Sequence, residues 1–243
     1  MEATPAFLGP RSSSTSIAAV LPTLAVLPIG ACEQHGPHLP IGTDAMVAES
    51  LADIVSSELA ALRLPILAYG TSAEHRGLHG TMSLRPETLA AVVQDIADSC
   101  VASGIKRLAI LSGHGGNWIL RPTIRDINAR HQDRTVWLVP ESVIWADSFA
   151  EDLHAGATET SLMLYLDPDA VGTPPPDFVP DVPREALDIL PIRQLTPHGI
   201  WGRPSQASAA MGEDVLNAMA HRIANHLNTT FAALAAQREE TLL

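Results

Sequence analysis

The sequence predicts an α/β fold of three layers, α/β/α, with a largely parallel sheet and helices on both faces. Two observations carry this. Short apolar runs alternate along the chain with longer stretches whose apolar residues recur at helical spacing. The clearest of those runs, Leu24–Ile29 and Arg107–Ser112, are each followed at once by a glycine, Gly30 and Gly113, as strands feeding loops are.

Residues up to about Ser16 are rich in Pro, Ser and Thr and are expected to be disordered or loosely attached, leaving 17–243 as a single domain. Leu24–Ile29 is the first strand. Ala45–Leu62 reads as a helix, with Val47, Leu51, Ile54, Val55 and Leu59 on one apolar stripe. Arg63–Tyr69 is the next strand, with Pro65 near its start, and Gly70–Ser83 is the loop behind it. A helix from Pro86, whose ring suits a first turn, runs to about Ser103. Lys106–Ser112 is a strand, Asn117–His131 a helix and Thr135–Pro140 a strand. Glu159 opens a further helix on the run Leu162–Leu166. The proline-rich stretch Val171–Pro197 is expected as a long ordered excursion over the surface, suited to a neighbouring subunit. A final amphipathic helix covers about Gly212–Gln237.

Ligands of such sheets sit beyond the carboxyl ends of the strands. The loops carrying Glu33 and His35, Gly70–Ser83, and His114 all follow strands, so they converge on one edge. Glu33 and His35 are two residues apart and leave an extended backbone on the same face. A carboxylate and an imidazole so placed suit a divalent ion such as zinc or manganese. His38 and Asp44 follow closely, His114 stands at a strand-to-helix switch, and His154 lies just before Glu159.

Composition narrows the chemistry. At 243 residues and 46% hydrophobic, the chain can bury a full core. A formal charge of −12 argues against nucleic acid or an anionic membrane as partner. Lys106 is the only lysine, which leaves Schiff-base chemistry almost without a candidate. Cys32 and Cys100 do not make a disulfide framework and suit a reducing, cytoplasmic setting. Arg11, the serines after it and the apolar stretch to Cys32 imitate an export signal. Pro22 and Pro28 break that stretch, and cleavage before Cys32 would remove the strand that positions Glu33. No apolar run reaches the roughly 18 residues of a membrane span. G-x-S-x-G, H-E-x-x-H and paired C-x-x-C patterns are missing, and Trp118 stands where a dinucleotide fingerprint needs glycine.

Four motifs together are recognisable. Glu33-Gln-His35-Gly-Pro-His-Leu-Pro with Thr43-Asp44, then Ala73-Glu-His-Arg-Gly with Gly80-Thr-Met-Ser-Leu84, come first. Gly113-His-Gly-Gly-Asn117 and His154-Ala-Gly-Ala-Thr-Glu159-Thr-Ser161 follow. In this order they resemble the creatininase (creatinine amidohydrolase) family, from about Leu24 to the last helix. The resemblance implies hydrolysis of an amide, lactam or formamide C–N bond in a small molecule or short modified peptide. It also implies two divalent ions (Zn, Mn or Fe) and a homo-oligomer, often a hexamer. On that pattern Asp44 bridges both ions, Glu33 and His114 complete one shell, and His35 and Glu159 the other. Such a pair, about 3.5–4 Å apart, acidifies a water and polarises a carbonyl.

The chain departs from the founding creatininases, which carry a Tyr and a Glu within the segment matching Gly113–Asn117. Gly115 and Gly116 leave both out, so Glu159 stands as the fifth ligand. Trp118 and Trp145 are not clear equivalents of the tryptophans that close over creatinine, so creatinine is not favoured. The short chain and the Gly-His-Gly-Gly-Asn form look closer to formamide hydrolases and to a peptidase of a modified peptide precursor. Creatinine amidohydrolase proper and a metal-binding pseudoenzyme remain the alternatives.

His154 is either the proton shuttle for the leaving nitrogen or a brace for the Glu159 turn. Gly115 and Gly116 either offer N–H groups to an oxyanion at a helix start or simply make the turn. Glu74 and His75 either contact substrate or form a surface charge pair. His79, where the family usually has Pro, is expected at the pocket rim. His38 is expected behind the ligands, and Cys32 as a small residue on the opposite face rather than a nucleophile.

Overall fold

The computed structural model describes residues 7–146 and 151–240. Four strands, β1 (Leu24–Ile29), β2 (Leu62–Arg63), β3 (Arg107–Ser112) and β4 (Thr135–Leu138), form a sheet in the order β2-β1-β3-β4. Every pairing is parallel, and β1 and β3 run in register from Leu24↔Arg107 to Ile29↔Ser112. The helices are α1 (Ser14–Val20), α2 (Thr43–Glu58), α3 (Pro86–Ala102), α4 (Leu120–Arg130), α5 (Glu141–Ile144), α6 (Ala157–Leu166) and α7 (Ala209–Glu240).

Strand periodicity decides the layers. Ala25, Leu27 and Ile29 of β1, with Leu108 and Ile110 of β3, pack against Leu89 and Val93 of α3 and Leu120 and Ile124 of α4. Leu24 and Val26, with Ala109 and Leu111, face the other way onto Val47 and Leu51 of α2, Leu162 of α6 and Met219 of α7. Both faces of the sheet are therefore covered, and the expected three-layer α/β/α arrangement is what the chain adopts. From β1 the chain winds outward to β2 and then crosses back to β3. That reversal opens a crevice at the strand ends between β1 and β3.

Several boundaries differ from the expected ones in ways that matter. Helix α2 starts at Thr43, so Asp44 stands in its first turn, where a carboxylate is favoured by the helix dipole. Helix α4 starts at Leu120, which leaves Gly115 and Gly116 in a turn before it rather than at its first residues. Strand β2 has only two residues. Pro65 has no N–H for the ladder, and Leu64 and Leu67 instead donate singly to Val26 O and Pro28 O at 2.9 and 3.1 Å.

The leader up to Ser16, expected to be loose, is attached from Leu8 onward. Leu8 is buried and bridges Leu62, and the Ser13 side chain caps α1 by accepting from Ser16 N. Residues 1–6 lie outside the described residues. The Val171–Pro197 excursion is ordered as expected, but it also crosses the strand ends. Phe178 pairs with Gly202, and Val179 to Arg184 line the cavity described next.

Candidate metal centre

The β1 loop, the first turn of α2, the β3 loop and the first turn of α6 deliver the five expected donors to one point. His35 Nε2 lies 3.1 Å from Asp44 Oδ1 and 3.8 Å from Glu159 Oε2. His114 Nε2 lies 3.1 Å from Glu33 Oε2, and its Nδ1 is 3.3 Å from Asp44 Oδ2. Asp44 is thus the carboxylate between the two imidazoles, one oxygen toward each. Glu33, His35 and Asp44 form one group with donor atoms within 4.8 Å of one another, and His35, His154 and Glu159 form another.

The side chains fit a cation on several counts. Glu33 is fully buried, yet neither of its carboxylate oxygens, nor Asp44 Oδ2, has a hydrogen-bond partner. Buried carboxylate oxygens left so are costly unless a positive charge meets them. His35 Nδ1 lies 3.2 Å from the Glu33 carbonyl, which can only accept, so the ring proton is held there. Its Nε2 lone pair then faces Asp44 and Glu159, the tautomer expected of an imidazole ligand.

The protonation states tell the same story. Burial, helped by the neighbouring Asp44, pushes the Glu33 carboxyl up to about 8, despite His114 beside it. Burial works against a charged His114, but Glu33 and Asp44 outweigh it and hold the imidazolium up to about 10. His35 is raised well above the ordinary histidine value, against its burial, by Asp44 and Glu159. Glu159 is driven down to about 2, against its burial, by His35. Without an ion, protons must therefore carry the charge these carboxylates require.

His154 sits beside this group, its ring centroid 4.3 Å from those of both His35 and His75. The Gln34 carbonyl, 2.8 Å from Nε2, fixes the proton on that nitrogen and leaves Nδ1 facing Glu33 Oε1 at 3.7 Å. Burial and the neighbouring His35 lower His154 to about 3, so it is neutral at pH 7. A residue the sequence did not single out organises this corner. The Gln34 side-chain amide donates to Gly199 O at 2.8 Å and to His75 Nδ1 at 2.9 Å.

Glu74 and His75 are not a surface pair. They form a single turn of 3-10 helix, Ala73–His75, that points into the site. His75 Nε2 is 3.3 Å from Glu33 Oε1, and Glu74 Oε1 is 3.3 Å from His114 Nε2. Burial and its imidazole neighbours keep His75 neutral. Burial opposes the Glu74 carboxylate, but the His114 contact holds it below its ordinary value. Asn117 was also missed: its amide joins Gly30 O, Ser112 Oγ and Thr71 N, tying together the ends of three strand loops.

His38 lies behind the group, 3.0 Å from Thr160 Oγ1, and outside every cluster of donors found among the described residues. Cys32 turns away toward Gly80 O and His79 is exposed; neither lines the cavity, so the rim position expected for His79 is not where it lies. That cavity, about 780 Å³, has Asp44, His114, His154 and Glu159 at its base. Gly115 and Gly116 lie along one side, Trp145, Val182, Leu187 and Trp201 form apolar walls, and Glu141 and Arg184 pair at 2.9 Å on the rim.

Comparison with known proteins agrees with the motifs. The family model described as creatininase, creatinine amidohydrolase, matches residues 12–227. The mycofactocin precursor peptide peptidase of Mycolicibacterium smegmatis is 32% identical over 235 residues, spanning 92% of this chain and 91% of that protein. The creatinine amidohydrolase of Pseudomonas putida is 30% identical over 235 residues, spanning 85% of this chain and 89% of its own. A solved structure described as creatininase Mn superposes with a TM-score of 0.76 at 26% identity, covering 92% of this chain and 98% of that one.

Proposed function

The chain belongs to the creatininase family, metal-dependent hydrolases of C–N bonds, and from that premise we propose a two-metal amidohydrolase that cleaves an amide bond in a short modified peptide. The carrying observation is the buried carboxylate oxygens without a hydrogen-bond partner, both of Glu33 and Oδ2 of Asp44, in a donor cluster whose Asp44 and His114 line a cavity of about 780 Å³. A single five-membered ring such as creatinine would occupy a small part of that volume. Apolar walls of Trp145, Val182, Leu187 and Trp201, with Glu141 and Arg184 at the rim, suit a longer chain with polar ends.

In this reading Asp44 would be shared by the two ions, Glu33 and His114 would hold one of them, and His35 and Glu159 the other; zinc, manganese and iron all suit such mixed oxygen and nitrogen donors. The bound ions supply polarisation of the scissile carbonyl and a lowered pKa for the attacking water. The chain's own part is positioning and proton transfer. Neutral His154, held by the Gln34 carbonyl, presents Nδ1 toward the cluster, where it takes a proton and returns it to the departing nitrogen. Gly115 and Gly116 lie along one side of the cavity, where the absence of side chains makes room for Arg184 and Glu141 and for Glu74 and His114.

Residues 17–243 act as one domain in this proposal, because the site draws on chain segments from Glu33 to Trp201. The assembly is proposed to be a homo-oligomer, and light scattering giving a monomer mass at working concentration would count against it. The cytoplasm suits Cys32 and Cys100, which are both free thiols. Among the described residues no helix is long and apolar enough to cross a membrane.

The test is turnover by metal-loaded protein on modified peptide amides, lactams including creatinine, and formamides, followed by mass spectrometry. Peptide cleavage without creatinine turnover is the expected result. Creatinine turnover alone would favour the second reading, which the likeness to the Pseudomonas putida enzyme keeps open. Full metal with no turnover on any class would mean a pseudoenzyme.

A further inference from the structure

We propose that Glu74 is a metal ligand, a carboxylate delivered from the Ala73–His75 turn that completes the shell around the ion held by Glu33 and His114. This rests on the two-metal reading above. Donor atoms of Glu33, Glu74 and His114 lie within 4.8 Å of one another, a group as compact as those built from the motif residues. Glu74 Oε1 stands 3.3 Å from His114 Nε2, and the side chain is only 16% exposed. It reaches that point because the β3 loop carries no side chain in the way. A Cβ built on Gly116 would collide with both Glu74 Oε1 and His114 Nε2. The missing side chain at Gly116 and the inward-pointing Glu74 are therefore two halves of one arrangement.

A substrate-binding role fits less well. Glu74 also lines the cavity, but its Oε1 is aimed at an imidazole that already faces Glu33 Oε2 at 3.1 Å. Three donors from three different loops, the ends of β1 and β3 and the 3-10 turn, make a cage whose parts meet only when the fold is complete.

Metal affinity and ligand-field spectra test this without relying on turnover. Chelated protein is titrated with Co²⁺ and Mn²⁺, and bound ions are counted by elemental analysis after dialysis. The wild type is expected to take two ions. Glu74→Gln, which keeps shape and folding, should weaken one ion by more than the ~10–100-fold that loss of an outer-shell partner costs. It should also change the visible absorption of the Co²⁺ form. Gly116→Ala should weaken the same ion at least as much, because its Cβ would displace the Glu74 carboxylate and the His114 ring together. Glu74→Ala combined with Gly116→Glu should restore the second ion, because the new side chain starts where the Glu74 oxygen now lies. Unchanged affinity and an unchanged Co²⁺ spectrum in Glu74→Gln would overturn the assignment. A wild type that binds no ion would overturn the two-metal reading itself and this inference with it.

Discussion

Two clusters of charge adjoin the sheet's first strand, one beside it on β2 and one beyond its carboxyl end, and they are built on opposite principles. On β2, buried Arg63 donates through Nε to Asp53 Oδ1 at 2.6 Å and through Nη1 to Glu49 Oε1 at 2.8 Å. Its partners stand one turn apart on α2 and keep 46% and 40% of their side chains in solvent. Charge there is closed by protein groups, with water close at hand. Beyond the carboxyl end of β1, Glu33 is fully buried and both its oxygens lack a hydrogen-bond partner. The first cluster is complete as it stands, and the second asks for a cation. A buried carboxylate that the protein itself does not satisfy points to a ligand.

The sharpest way to break this contrast is Asp44→Ala. Asp44 presents one oxygen to each of His35 and His114, so its loss should remove both ions and with them nearly all activity. His114→Ala or Glu159→Ala should mainly weaken one ion. Elemental analysis that finds two ions retained in Asp44→Ala would sink the bridging role.

Next in size is His154→Asn, which should lose activity by a factor of about 10²–10⁴, the usual worth of general acid–base catalysis. His154 also lies within donor range of Glu33 and of His35 with Glu159, so its metal content must be measured on the same sample. Retained metal with a loss that shrinks for leaving groups needing no proton marks the shuttle. Loss of metal and activity together, without leaving-group dependence, marks a ligand or a brace.

Much of this arrangement was legible in the chain. The alternation of strands and helices predicted the sheet, and the strand-end position of Glu33, His35 and His114 predicted one shared edge. Local pattern could not show which way the Gly70–Ser83 loop folds. Whether Glu74 and His75 face solvent or the donor cluster depends on a turn closed by long-range contacts, such as His114 Nε2 on Thr71 O at 2.9 Å. Gln34 escaped notice for a related reason. Its neighbours Glu33 and His35 carry the obvious chemistry, while its own partners lie 41 and 165 residues away. The start of α2 at Thr43 is a matter of two residues, yet it decides that Asp44 is fixed by a helix rather than carried on a loop.

A subtler effect separates the clusters by pH. In chelated protein, Glu33 is held up to about 8 by burial, and His114 is raised to about 10 by Glu33 and Asp44, which outweigh its burial. The native state therefore keeps protons that the unfolded chain releases, so stability falls as pH rises from about 7 to 10. His154 and His38, lowered by burial, act only below their unfolded value near 6.5 and leave that window alone. Glu33→Gln should flatten the decline and reduce, by weakening one ion, the stabilisation that added metal gives the wild type. Metal loading should likewise release protons, and affinity should rise with pH through neutrality. A chelated wild type whose melting temperature is level from pH 7 to 10 would contradict this.

The smallest expected effect is the most diagnostic control. Arg63→Met keeps the aliphatic stem and removes both ion pairs. Glu49 and Asp53 are then left unpaired, but they are about half exposed and can return to water, unlike Glu33. The cost should therefore be about 1 kcal/mol, the scale of solvent-accessible pairs. In a chain of this length that corresponds to roughly 2–4 °C in melting temperature. Metal content and kcat/KM should be unchanged, because Arg63 lies outside the cavity lining. If metal affinity fell as well, the two clusters would be coupled through β1 and α2, and the division between closed and open charge would fail. If stability fell by several kcal/mol, the Arg63 pairs would behave as desolvated ones, and solvent would not be the fallback assigned to Glu49 and Asp53.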